Sequence, residues 1–185
     1  MDKKRWEWIK VSSKTVYRFY ADYAKEEVWL NEMANNGWYL QQFRLGRYVF
    51  IKGEPGMYTY RIELLENMSK HPKSQDYFAF LEEMGIEVVD TSFRWVFLRK
   101  RTSDEPFHLY SDFDSQIHHE HRILQLYKVV FFVNIIAVLI NLFNPITDTM
   151  IWFNLAIVTG LSFVMQRHER KIQTLRGLRA IAEQD

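Results

Sequence analysis

The sequence predicts an α+β domain followed by two transmembrane helices. Residues 129–166 contain no Lys or Arg and a single acidic residue, Asp148, while the segments on both sides are densely charged. Aromatic residues make up 16% of the chain, and most of them precede this apolar interval. Several earlier segments also alternate polar and apolar residues, which is the pattern of half-buried strands. We therefore divide the chain into an α+β domain, residues 1–112, and a helical membrane part.

The predicted domain contains the same order of elements twice. Gly37 and Gly85 each end a helical segment, and strands precede and follow each helix. The two units cover about residues 15–52 and 57–101. Within them the order strand, helix, strand, strand is predicted at 15–20, 22–36, 38–45 and 46–52, and again at 57–64, 72–84, 86–91 and 93–101.

Two matching stretches indicate that the domain is an internal repeat. Residues 29–33 match 80–84, and residues 46–52 match 93–99. The apolar positions of the second helix have the spacing of one buried face, at Tyr77, Phe80, Leu81 and Met84. We therefore expect two duplicated β-α-β-β units that form a six-stranded, mainly antiparallel sheet with both helices on one face.

The apolar interval is long enough for two membrane crossings. We predict transmembrane helices at 127–144 and 149–166, joined by a turn at 144–148. The sequence Ser-Asp-Phe-Asp at 111–114 has the pattern of a capping box. It predicts a connecting helix, 113–126, that runs into the first transmembrane helix without a linker.

The positive charges indicate how this hairpin is oriented. Arg122 lies before the first span and Lys128 lies at its start, several basic residues follow the second span, and the turn has none. By the positive-inside rule both termini face the cytoplasm. The alternative is a buried helical hairpin in a soluble protein, which would need far more protein than this chain has to cover both helices. We therefore expect a multi-pass protein of the cell membrane with two spans.

Three asparagines lie within the predicted spans, at Asn134, Asn141 and Asn154. We expect them to form hydrogen bonds between helices, either within the hairpin or between copies of the chain, so a homo-oligomer is one possibility. A transport pathway is disfavoured, because the spans contain no intramembrane charge.

The tail, residues 167–185, is basic and amphipathic. Ile172, Leu175 and Leu178 are spaced three apart, and basic residues occupy the other faces: Arg167, Arg170, Lys171, Arg176 and Arg179. The tail could lie along an anionic inner leaflet, with these basic residues facing membrane lipids. It could equally pack on the cytoplasmic sheet, and the pattern does not choose between the two.

A histidine cluster precedes the first span. His118 and His121 share a helix face, and His168 would return to a similar depth in an antiparallel hairpin. Imidazoles with a nearby carboxylate could bind zinc. A solvated surface is the more common setting for such residues, so we predict no metal site and keep these three as candidates.

Composition and motifs argue against an enzyme. The chain has no cysteine and a net charge of +1, and it lacks the glycine-rich, zinc-binding and nucleophile motifs of common enzymes. Glu26-Glu27 and Glu82-Glu83 are interpreted as solvated helical carboxylates. The aromatic and basic strands are interpreted as core rather than as a nucleic-acid surface. We expect no enzymatic activity, no cofactor and no nucleic-acid partner.

Several motifs in residues 15–115 resemble a bacterial membrane-protein family that has no established activity and is often encoded beside PadR-type transcriptional repressors. They are Glu27-x-Trp29-Leu30-Asn31-x-Met33-Ala34-x-x-Gly37-Trp38, Gly46-Arg47-Tyr48-x-Phe50, Glu54-Pro55-Gly56-x-Tyr58-x-Tyr60-Arg61-Ile62, Phe80-Leu81-Glu82-Glu83-x-Gly85, Trp95-x-Phe97-x-Arg99-Lys100 and Leu109-Tyr110-Ser111-Asp112. Ile86 departs from the tryptophan expected there. The resemblance implies a bacterial membrane protein and supplies no catalytic residues.

These observations lead to one functional expectation and one alternative. We expect a membrane-anchored, non-enzymatic interaction or sensing module that regulates an envelope or membrane-stress response through a protein partner. The alternative is an accessory subunit of a membrane complex such as an exporter.

Overall fold

A computed structural model describes residues 12–103, 106–110, 112–142 and 148–183. The chain divides into two compact units, Met1–Phe107 and His108–Asp185. We call them the N-terminal unit and the helical unit. Parts of several predicted features lie outside the described residues: 1–11 and 104–105 of the domain, Ser111 of the capping box, 143–144 of the first span, 144–147 of the turn, and 184–185 of the tail.

The N-terminal unit begins with a three-stranded antiparallel sheet. Its elements are β1 (Ser13–Tyr17), α1 (Tyr23–Asn35), β2 (Trp38–Arg44) and β3 (Arg47–Lys52), and the strand order is β1-β3-β2. Asp22 caps α1 because its side chain accepts a hydrogen bond from the Ala24 amide. A two-residue turn, Leu45-Gly46, joins β2 to β3.

A second three-stranded antiparallel sheet follows. Its elements are β4 (Tyr58–Leu64), α2 (Pro72–Glu83), β5 (Glu87–Ser92) and β6 (Trp95–Arg101), in the strand order β4-β6-β5. The structure therefore has two separate sheets where we expected one of six strands. Between β2 and β5, the Phe43 amide donates to the Asp90 carboxylate (2.7 Å), so a side chain takes the place of a strand partner. Both strands also contain a register shift, which interrupts regular pairing.

Helix α1 supplies the centre of the N-terminal core. Leu30 is fully buried, and the Trp29 ring packs edge-on against Tyr48 and Phe50, with ring centroids 4.8 and 5.6 Å apart. Such aromatic contacts add about 0.5–1.5 kcal/mol each to the gain from area burial.

The same helix also satisfies the free edge of β4. The Asn31 side chain accepts from the Tyr60 amide (2.7 Å) and donates to the Tyr60 carbonyl (3.1 Å). Glu27 accepts from the Ile62 amide (3.0 Å) and forms an ion pair with Arg61 (3.2 Å). Because an edge strand exposes unpaired backbone groups, these side chains protect β4 from pairing with another chain.

The burial of apolar side chains in helix α2 differs from that in helix α1. Leu81 is buried and Tyr77 donates to the buried Glu63 carboxylate (2.8 Å), as a core-facing helix requires. Phe80 and Met84, however, are 53% and 52% exposed, whereas the residues matched to them, Trp29 and Met33, are buried and half-buried, so burial does not confirm the match of 80–84 to 29–33. Gly37 follows the end of α1, and Gly85 follows the end of α2. If the two units are aligned on these glycines, Leu81 corresponds to Met33 of α1, whereas the predicted match paired Leu81 with Leu30.

Gly37 and Gly85 provide a matched test of this packing. Both have φ of 72°, but a Cβ at Gly37 would lie 2.6 Å from the Gly53 carbonyl oxygen, whereas a Cβ at Gly85 would meet nothing within 4 Å. Gly37→Ala should therefore destabilise the protein by about 1–2 kcal/mol more than Gly85→Ala, because only the first substitution adds a backbone clash to the strain. Urea titration measures both, and equal losses would contradict the contact.

The helical unit consists of two long helices. Helix α3 (Phe113–Leu142) covers both the predicted connecting helix and most of the first span, and α4 (Asp148–Ala182) covers the second span and most of the tail. The cap of α3 is Asp112, whose carboxylate accepts from the Ser115 amide (2.7 Å) and hydroxyl (2.8 Å). Asp112 therefore caps α3 one residue after Ser111, the residue for which the sequence predicted this role.

Both helices are long and apolar enough to cross a membrane. Only 11% and 6% of their most apolar windows are buried, which differs from the core helix of a soluble protein. The large exposed side chains of these windows include Val129, Phe132, Val133, Ile136, Leu139, Ile140, Trp152, Phe153 and Phe163.

Candidate functional site

A buried charge cluster joins α3 to α4 outside their most apolar segments. Glu120 is only 2% exposed, and its two carboxylate oxygens contact different partners on α4. Oε2 lies 2.6 Å from His168 Nδ1, and Oε1 lies 2.5 Å from Lys171 Nζ. Because an ionised carboxylate can only accept, the imidazole donates from Nδ1. We call Glu120, His168 and Lys171 the charge cluster.

Apolar and aromatic side chains surround the charge cluster. The Tyr127 ring lies 5.5 Å from the His168 ring, and the buried His119 ring lies 5.1 Å from Tyr110. A small apolar core from both helices packs beside them, formed by Ile117, Leu124, Ile172 and Leu175. In such surroundings the contacts of Glu120 specify one register between α3 and α4, because a shifted pairing would leave its charge buried without a partner.

The structure separates the three histidines that we considered as metal ligands. His168 contacts the Glu120 carboxylate. His121 Nε2 lies 3.1 Å from an Arg176 guanidinium nitrogen, and His118 is exposed. Across the described ranges, no group of three or more His, Cys, Asp or Glu side chains could hold a metal ion. The Glu120 carboxylate contacts His168 and Lys171.

The basic tail continues α4 and uses its apolar face against α3. Ile172 and Leu175 are buried in the core shared with α3, whereas Leu178, the third apolar residue of the tail, is 47% exposed. Lys171 belongs to the charge cluster, and Arg179 pairs with Asp114 of α3 (2.6 Å) and with Glu183 (2.8 Å). Arg167 and Arg170 are exposed, and lipid contact by these residues stays a prediction.

The three span asparagines are all half-buried. Asn134 donates from Nδ2 to the Val130 carbonyl (2.8 Å) in its own helix, and the Ser162 hydroxyl bonds its own helix in the same way. Such local bonds satisfy polar groups in an apolar setting without a second helix. Hydrogen bonding between helices by Asn141 and Asn154 stays a prediction.

Another buried carboxyl group, Glu26, lies in the N-terminal unit, and the sequence interpretation missed it. Glu26 was expected to be solvated but is only 9% exposed, and the Tyr48 hydroxyl donates to its Oε1 (2.6 Å). Burial raises the pKa of Glu26 to about 7, although the bond from Tyr48 lowers it, and burial also raises the pKa of Tyr48. Glu26 can therefore exchange a proton near neutral pH.

A signal for this group was present in the sequence. Glu26 precedes Trp29 and Leu30 by three and four residues, so it lies on the face that α1 buries. Its neighbour Glu27 instead reaches Arg61 at the edge of β4. Glu82 and Glu83 of α2 are exposed, as expected for solvated carboxylates.

Helix α2 exposes apolar side chains on one side and borders a groove on the other. On one flank Phe80 and Met84, spaced one helical turn apart, expose more than half of their surface. We call this pair the α2 apolar face. The other flank borders a groove of about 410 Å³, lined by Phe78, Glu82, Gly85, Ile86, Glu87 and Val88. Exposed apolar side chains that form a pair on one helix face are typical of protein contacts.

Comparison with known families now gives these features a context. The sequence profile of a family described as "Protein of unknown function (DUF2812)" matches residues 22–132, more than half of the chain. This chain belongs to the DUF2812 family. The DUF2812 match begins at the cap of α1, covers both helices of the N-terminal unit and ends within α3. Comparisons with curated proteins and with solved structures found no match.

Proposed function

We propose that this DUF2812 protein is a membrane-anchored, non-enzymatic interaction module whose N-terminal unit binds a protein partner in the cytoplasm. The observation that carries the proposal is the α2 apolar face, Phe80 and Met84, on a folded unit tethered to two exposed apolar helices. Binding requires no reactive group, and the buried carboxyls of both units are already occupied by hydrogen bonds or ion pairs.

The anchoring part of the proposal follows from the solvent that the helices need. Water-exposed apolar side chains along both helices would be unfavourable, whereas lipid covers them without cost. The basic residues that flank the apolar segments favour an orientation with both termini in the cytoplasm of a bacterial cell. A few residues around the turn would then reach the far side of the cell membrane.

The partner part of the proposal commits to one surface chemistry. The α2 apolar face lies near exposed carboxylates, Glu82 and Glu83. A complementary surface would have an apolar centre and a basic rim, which excludes wrong partners by charge. An amphipathic helix or exposed strand of a protein meets this description.

The proposed role of this module is regulatory. It rests on the stated resemblance to proteins encoded beside PadR-type repressors, and it assigns the module to an envelope or membrane-stress response. A tethered domain with a proton-exchanging carboxyl and a partner surface has the parts that such a sensor needs.

We also propose that the two sheets arose by duplication of a β-α-β-β unit and act as one six-stranded layer. Both sheets have the order first-third-second strand, and both helices end at a glycine with φ of 72°. Leu45 and Phe93 occupy corresponding turn positions with positive φ. The bond from the Phe43 amide to Asp90 would join the two sheets at their edges.

Site-specific photo-crosslinking tests the partner proposal. With a photo-reactive phenylalanine analogue at Phe80 in the full chain, we expect a crosslink to a specific protein in native membranes, and the variant Met84→Ser should weaken it. The matched control is the analogue at Val28, a similarly exposed apolar residue of α1. Equal crosslinking at Phe80 and Val28, or none at Phe80, would contradict the proposal.

The same experiment examines the alternative role as an accessory subunit. An analogue at Ile136, which is exposed in the first apolar segment, would then crosslink to another membrane protein while Phe80 does not. A crosslink between two copies of the chain at Ile136 would instead indicate a homo-oligomer.

A further inference from the structure

We propose that the tip of the first sheet docks on an anionic lipid surface. The tip is defined by the apolar side chains Tyr17, Phe19 and Leu45 and by the flanking Arg44 and Arg47. This inference rests on the proposed membrane anchoring, which brings the N-terminal unit within reach of a bilayer. It goes beyond that proposal because it assigns a lipid-binding surface to the α+β unit itself.

Leu45 is the first sign of a function at this tip. It has a φ of 37° in the turn between β2 and β3, and its side chain is 84% exposed. Turns of this kind favour Asn, Asp or Gly, since other residues are strained at positive φ. A leucine here is therefore unfavourable for two reasons, since its backbone is strained and its apolar side chain is exposed to water. The side chain is too exposed for packing to offset this strain.

Phe19 extends the apolar tip beside Leu45. Its ring covers Gly46 so closely that a Cβ at Gly46 would lie 2.6 Å from Phe19 Cε1. The Arg18 amide donates to the Gly46 carbonyl (2.8 Å), which ties the end of β1 to the turn. Phe19 nevertheless remains 81% exposed, and Tyr17 is exposed as well. The tip therefore presents two aromatic rings and a leucine held together by backbone contacts.

The charge around the tip identifies its partner. The segments that form the first sheet, 13–20 and 38–52, contain no Asp or Glu and five basic residues, Lys14, Arg18, Arg44, Arg47 and Lys52. Arg44 and Arg47 are directly paired across the hairpin and exposed, and neither forms an ion pair with any residue that the structure describes. Like charges in this position repel each other, and an anionic partner relieves the repulsion.

The second sheet provides an internal comparison. Phe93 occupies the corresponding turn, has a φ of 57° and is also exposed. Its sheet, however, contains acidic as well as basic residues, including Glu63, Glu87 and Asp90. Within the two sheets that the structure describes, the tip of the first combines exposed apolar side chains with two directly paired arginines that form no ion pair.

A lipid surface fits this combination of groups. Aromatic and leucine side chains insert at the boundary between headgroups and acyl chains, while guanidinium groups bind the lipid phosphates. The tether of the apolar helices supplies a high local concentration of bilayer, so a small contact suffices.

Fluorescent labels at single cysteines test the proposal directly, because the chain contains no native cysteine. The full chain, with an environment-sensitive dye at Leu45→Cys, is reconstituted in vesicles of phosphatidylcholine or of an equal mixture with phosphatidylglycerol. We expect a blue shift and quenching by lipid-attached quenchers in the anionic vesicles. Both should be lost in the variant Arg44→Gln/Arg47→Gln and in about 1 M salt, where the Debye length is about 3 Å.

Two further labels make the outcome decisive. A label at Ile136→Cys reports on anchoring, and its failure to be quenched would overturn the membrane proposal as a whole. A label at Phe93→Cys is the matched turn control and should not be quenched. Three other outcomes would overturn the docking of this tip alone. They are quenching at Ile136 without quenching at Leu45, equal quenching at Leu45 and Phe93, and a blue shift at Leu45 that is the same in both kinds of vesicle.

Discussion

Glu120→Ala should destabilise the contact between α3 and α4 by about 2–4 kcal/mol, because it leaves the buried His168 without its acceptor and opens a cavity. The neighbouring Lys171 limits the loss, since it is half exposed and can return to water. Hydrogen–deuterium exchange of the full chain in lipid discs measures the effect on peptides from 113–126 and 167–182. Faster exchange should be confined to these segments.

Asp114→Ala is the matched control for this prediction. Asp114 also pairs with α4, through Arg179 at 2.6 Å, but both side chains are about half exposed. Exposed ion pairs are screened by water and contribute little to stability, so exchange should change little. If the two variants had equal effects, burial would not be what makes the charge cluster important.

Glu26→Gln should stabilise the N-terminal unit at high pH and leave it nearly unchanged at low pH. Glutamine keeps an acceptor for the Tyr48 hydroxyl but cannot ionise. The folded pKa of Glu26 is about 7, above its ordinary value of 4.5. The stabilisation that comes from the bound proton is therefore complete below pH 4.5 and is lost as the pH rises through 7.

The size of this effect follows from the same shift. The difference of about 2.5 between the folded pKa and the ordinary pKa of Glu26 corresponds to roughly 3 kcal/mol, so the variant should gain about this much over the natural protein at pH 8. Urea titration at pH 5 and pH 8 measures this gain through tryptophan fluorescence, because Trp29, Trp38 and Trp95 all lie in this unit. Glu32→Gln, on the exposed side of α1, is the control, and a gain independent of pH would contradict the assignment.

Much of the secondary structure could be predicted from local patterns. The alternating segments became strands within a few residues of the expected limits, and the two helices end two residues before Gly37 and Gly85, close to where these glycines predicted. The two apolar helices were predicted from the lack of charge in 129–166. Each of these features depends on residues close in the chain, which a periodicity records directly.

The polar sites could be predicted only in part. The sequence analysis grouped Glu120 and His168 with the histidines of α3 as a candidate zinc cluster, whereas the structure pairs the Glu120 and His168 side chains directly. Glu26 lay on the buried face of α1 and was interpreted as solvated, because carboxylates usually are. Phe80 and Met84 had core spacing and are exposed, because α2 covers its sheet with a narrower face.

The amino-acid sequence was sufficient to establish an α+β unit, two helices able to cross a membrane, and the absence of common catalytic motifs, since these depend on composition and spacing. Tertiary contacts alone decided the division into two sheets, the pairing of Glu120 with His168 and Lys171, and the burial of Glu26. They also brought Phe19 beside Leu45. The physical reason is that burial and ion pairing depend on which distant segments meet, and a local pattern does not contain that information.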